Sequence, residues 1–107
     1  MANSTPYRLN DANALKLLRE VAKDSGRVVL LRHARQRMKQ RQITLAQVLT
    51  VLRTGSLAES AACDLHGNWK MTVRGMTCGQ SVSVACAIEM QEEPGKRVLV
   101  ITLFGSD

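Results

Sequence analysis

The feature that most narrows the fold lies in the C-terminal half. Trp69, Met71 and Val73 alternate with Lys70, Thr72 and Arg74. Val82, Val84, Cys86 and Ile88 alternate with Ser81, Ser83, Ala85 and Ala87. Successive side chains of a strand point to opposite faces, so each segment has one face for a core and one for water. Residues 98–104 are almost continuously apolar, as expected of a central strand. Residues 75–79 and Glu93-Pro94-Gly95 supply turns between these segments. Short connections make such strands an antiparallel meander. A weaker strand over residues 57–63 and a turn over residues 64–68 precede them.

Helices must then cover the apolar face of this sheet. Aromatic residues are only 3 % of the 107, so the core is aliphatic. Asn10 or Asp11 can cap a first helix in which Ala14, Leu17, Leu18 and Val21 follow the helical period, widened by Leu15 and Ala22. Ser25-Gly26 ends it, with the glycine free to take a left-handed cap. Residues 27–31 are short, β-branched and apolar, and read as a strand. A basic helix runs to about Gln40 and breaks at Gln42-Ile43. Thr44 and Gln47 form a capping box. The helix behind it carries Leu45, Val48, Leu49 and Leu52 inward against Val82, Val84, Ile88 and the last strand, and ends at Gly55. The expected architecture is α+β in two layers, helices packed on one face of a mainly antiparallel sheet. Its core is β-α-α-β-β-β with an extra N-terminal helix. Residues 1–9 read as a flexible tail and residues 10–107 as a single domain. The uncovered face of the sheet would show Lys70, Thr72, Arg74, Ser81 and Ser83.

The net charge is +6, a balance that favours nucleic acid or another polyanion as partner. Arg32, Arg35, Arg37, Lys39 and Arg41 crowd into ten residues, and no acid occurs between Asp24 and Glu59. On a helix, His33, Arg37 and Arg41 share one face, with Ala34 and Met38 on an adjacent apolar stripe. Like charges at this spacing weaken an isolated helix by about 0.2–0.5 kcal/mol per pair. Such a cost points to an anionic partner outside the chain, or to an acid brought in by the fold. No apolar run reaches the length of a membrane span, and the N-terminus has no secretory core. Cys63, Cys78 and Cys86 show no CxxC spacing and read as reduced, mostly buried thiols of a cytoplasmic protein. No metal site and no cofactor is expected. Residues 75–79 lack the lysine of a P-loop.

The run His33-Ala34-Arg35-x-Arg37-Met38-x-x-Arg41-x-Ile43 belongs to a longer pattern. A helix ending at Gly55, Trp69 on a strand and Val100-Ile101-Thr102 follow it. Over about residues 27–103 this resembles the bacterial family known as domain of unknown function 4258. That family has glycine where Gln42 stands. It looks like a distant relative of the RelE/ParE toxins, with the same strand-helix-helix-sheet order. The resemblance implies a compact α+β fold. It also implies a toxin-type activity such as RNA cleavage, held in check by a cognate antitoxin or other acidic protein.

A metal-independent endoribonuclease needs a base for the ribose 2′-hydroxyl, cations for the charge developing on phosphate, and an acid for the leaving oxygen. His33 could be base or acid. Arg37 and Lys70 could stabilise the phosphate, and Arg35, Arg41 and Arg74 could join Arg37 and Lys70 in holding nucleic acid. The structural alternatives are equally concrete. His33 can bond backbone or a carboxylate, and Arg37 can tie its helix to Glu59 or Asp64. His66 reads as a solvated turn residue, Trp69 and Cys86 as core. The competing reading is a non-catalytic basic module that binds nucleic acid or an acidic protein.

Overall fold

A computed structural model of the chain describes residues 10–90 and 95–105. Helix α1 (Asp11–Ala22) leads into a 3-10 turn (Ser25–Arg27) and strand β1 (Val28–Leu30). Helices α2 (Arg32–Arg41) and α3 (Leu45–Thr54) follow, then strands β2 (Ser56–Cys63), β3 (Trp69–Thr77), β4 (Gln80–Glu89) and β5 (Arg97–Gly105). The five strands form one sheet in the order β1-β5-β4-β3-β2. β1 runs parallel to β5, and the other pairs are antiparallel. The helices pack on one face, so the two-layer α+β architecture expected from the alternation is present.

The alternation sets the core. Trp69 pairs with Ile88, Met71 with Cys86 and Val73 with Val84 across β3 and β4. The same face continues onto β5 through Leu103, Val100 and Val98. A bulge between Ala85 and Cys86 leaves Ile101 as the extra β5 residue, and inward-facing side chains therefore fall at 100 and 103. All these groups are buried in one cluster with Leu18, Val48, Leu52 and Ala34.

Local signals explain the helix ends. Asn10 accepts a hydrogen bond from the Asn13 amide at 2.8 Å, and the Thr44–Gln47 capping box is complete. Gln42 occupies the left-handed region, φ 54° and ψ 45°, and its N–H and that of Ile43 both reach the Met38 carbonyl. The tight turn thus forms although glutamine stands where glycine fits best. Gly55 is needed for close approach: a Cβ there would sit 2.6 Å from the Val51 carbonyl oxygen and 2.7 Å from that of Arg74.

Several expectations need correction. Gly26 does not adopt a left-handed cap. α1 stops at Ala22, and Asp24 makes the turn by accepting the Gly26 amide at 2.9 Å. Strand β3 runs on to Thr77, and Cys78-Gly79, both at positive φ, turn the chain directly into β4. On α3 the buried positions are Gln47, Val48, Val51 and Leu52, while Leu45 is exposed and Leu49 half-buried. The inward stripe is rotated toward Val51 because α3 packs chiefly on β3 and α1, not squarely on β4. The tail over residues 1–9 and most of the Glu93-Pro94-Gly95 turn lie outside the described residues.

Two arginines clasp α1 and α3 to one another. Arg19 of α1 donates to the Gly55 carbonyl at the end of α3, at 2.9 Å. Arg53 of α3 donates to the Ala22 and Lys23 carbonyls at the end of α1, at 2.8 and 3.2 Å. Each helix thereby supplies a cation to the orphan carbonyls and negative dipole end of the other.

Candidate functional site

α2 begins directly after β1. The Leu31 amide bonds the Val100 carbonyl at 3.0 Å, which ties the helix start to β5. Ala34 is fully buried and Met38 packs against the core, so one narrow stripe roots the helix. The rest of its surface faces solvent. Arg32, His33, Arg35, Lys39 and Arg41 are exposed and Arg37 is half-buried. Among the described residues, Arg32, His33, Arg35, Arg37 and Lys39 have no hydrogen bond or ion pair within the chain. The acids that could have met Arg37 are engaged elsewhere. Glu59 accepts the Thr72 hydroxyl at 3.0 Å. Asp64 accepts the His66 and Asn68 amides at 2.8 and 3.0 Å. For Asp64 the cost of burial, which raises the pKa, is outweighed by these amides and by His66 and Lys70. Its carboxyl is held below the ordinary value.

Lys70 and Arg74 lie on the opposite side of the sheet. Lys70 sits beside Ala87 and Leu99 on the strand face turned away from Trp69, Met71 and the helices. Arg74 is on the same open face, its Nε donating to the Ser83 hydroxyl at 3.0 Å. The fold therefore brings His33, Arg35, Arg37 and Arg41 onto one helix and keeps Lys70 and Arg74 apart from them. His33 and Arg37 do not share a groove with Lys70. The open face is also nearly balanced in charge. Glu59 offsets Lys70, and Glu89 pairs with Arg97 at 2.7 Å.

The remaining chemistry is quiet. Burial pushes the Cys86 thiol up to about 12, so it stays protonated at neutral pH, while Cys63 and Cys78 are exposed. His66 is exposed in its turn, and Trp69 is buried as expected. No group of three or more His, Cys, Asp or Glu among the described residues is arranged to hold a metal ion. Among the described residues, no helix is long and apolar enough to cross a membrane. Arg32 and Lys39 are exposed like His33 and Arg41, and more so than Arg37, the three residues that helical spacing singles out. The acid-free run from Asp24 to Glu59 was the signal for them, and face-by-face spacing was too narrow a filter.

Fold and surface together define a small basic α+β protein whose charge is concentrated on one helix of a two-layer sheet structure. The family model of the domain of unknown function DUF4258 matches residues 30–104, and the chain belongs to that family. α1 lies outside the matched residues. No curated protein and no solved structure matches the chain significantly.

Proposed function

We propose that the protein is a basic module that binds RNA through the solvent face of α2, without catalysing a reaction on it. The observation that carries this is the acid-free, unpartnered set Arg32, His33, Arg35, Arg37 and Lys39 spread around the solvent side of one helix, Arg37 half-buried and the other four exposed. Repulsion within such a set is relieved when its cations meet phosphates, and the condensed counterions they displace from the nucleic acid are released. Arginine suits phosphate better than lysine because its planar fork donates two parallel bonds. A cytoplasmic location goes with this role. The toxin-type ribonuclease reading, drawn from likeness to RelE/ParE toxins, shares the binding step and adds cleavage. Its support is weaker, because the cation expected beside His33, Lys70, stands across the sheet.

One titration series separates these readings. RNA affinity measured against salt should fall linearly on log–log axes. Arg35→Gln and Arg37→Gln should each reduce the slope by about 0.7–0.9. Affinity that ignores salt, or that survives both changes, removes α2 as an RNA-binding surface and leaves an acidic protein as its partner. Wild-type protein that cuts RNA where His33→Ala, equally folded, loses roughly 10²–10⁴-fold in rate would restore the ribonuclease.

A further inference from the structure

The outer surface of α1 carries a second cationic feature of a different kind. A groove of about 600 Å³ runs along the helix to the end of α3. Ala12, Lys16, Arg19 and Lys23, spaced by three or four residues, follow one stripe of the helix. Arg53 closes the far end, and Glu20 is the only acid among the described residues of the lining. Unlike α2, this groove has an apolar floor, to which Ala12 and the half-buried Leu15 contribute. The guanidinium groups of Arg19 and Arg53 are already held by backbone carbonyls at 2.9 and 2.8 Å. Ordering them for a ligand therefore costs little further entropy. Lys16 and Lys23 have no partner among the described residues.

From this we infer that the α1 groove is a docking site for an acidic amphipathic helix of a partner protein. Charge complementarity selects the occupant. Carboxylates would meet Lys16, Lys23 and Arg53, and an aliphatic side chain between them would cover the floor near Leu15. A nucleic-acid backbone would satisfy the cations but leave that floor wet. A helix lying alongside α1 presents its own residues at the same three- and four-residue spacing, the geometry of helix-in-groove recognition. Because α1 lies outside the residues matched by the family, this surface is separate from the shared core and independent of the α2 reading.

The test uses the full chain and a fluorescein-labelled synthetic helical peptide in which leucines recur at three- and four-residue spacing among glutamates. A control peptide has every leucine replaced by serine, and poly-adenylate RNA is the second competitor. The leucine peptide should bind, with amide shifts at Ala12, Leu15 and Lys16. The serine control should bind about tenfold more weakly, since one buried leucine contributes about that much. Lys16→Glu with Lys23→Glu should weaken the leucine peptide about tenfold, while Arg35→Gln with Lys39→Gln leaves it unchanged. Equal binding of both peptides overturns the proposal, as does a Lys16/Lys23 double variant that binds like wild type. It is also overturned if the wild-type chain binds neither peptide, and loss of RNA affinity in the double variant would then make the groove a nucleic-acid surface instead. Loss of RNA binding through α2 alone leaves it standing.

Discussion

Gln42 is where the chain and its local conformation disagree. A left-handed residue with a Cβ costs about 1–2 kcal/mol, and glycine avoids that cost at the expense of a more flexible unfolded chain. Gln42 is exposed and its turn is closed by backbone bonds to Met38, so its side chain is not needed for the turn. Gln42→Gly should raise stability by about 0.5–1 kcal/mol, read as a higher melting temperature. An unchanged or lower value would mean that the glutamine side chain stabilises the turn. The thiols offer a second test at this scale. Cys63 and Cys78 should react at once with a thiol reagent at neutral pH, and Cys86 only on unfolding. The Cys86 pKa is higher in the folded state than in the unfolded one. Its neutral form is therefore favoured by folding, and that contribution is lost as pH rises past the unfolded thiol value. Labelling of all three thiols at equal rates would contradict the burial of Cys86.

Among the elements, α3 depends most on its neighbours. Leu52 is fully buried, while Leu49 is half-buried. Leu52→Ala should cost about 2–5 kcal/mol, and Leu49→Ala clearly less. Denaturant unfolding of the two variants compares them directly, and equal losses would restore the stripe inferred from spacing alone. The arginine clasp adds a polar link between α3 and α1. Arg53→Ala leaves the Ala22 and Lys23 carbonyls without their guanidinium donor and should cost about 1–3 kcal/mol, with Arg53→Lys recovering only part. Hydrogen exchange should show the last turn of α1 opening first in this variant. Protection unchanged there would show that water replaces the guanidinium without loss.

For the molecule as a whole, a net charge of +6 with an acid-free helix sets two opposite responses to salt. Screening relieves repulsion along α2, so moderate monovalent salt should raise the melting temperature while weakening RNA binding. A melting temperature that falls with salt would mean that attractive pairs outweigh the repulsion. By itself the sequence determined the strand alternation, a helix cap at Asn10 or Asp11 and another at Thr44, the aliphatic core and the basic character of α2. All of these are set by contacts between residues close in the chain or by the two periods, 2.0 and 3.6, of the backbone. Only the tertiary structure decided which part of the α3 stripe turns inward and that β1 joins β5 in parallel. Only it set Arg19 and Arg53 on each other's helix ends, and Lys70 and Arg74 across the sheet from His33 and Arg37. Each depends on groups distant in sequence, and local periodicity carries no information about which faces of separate elements meet.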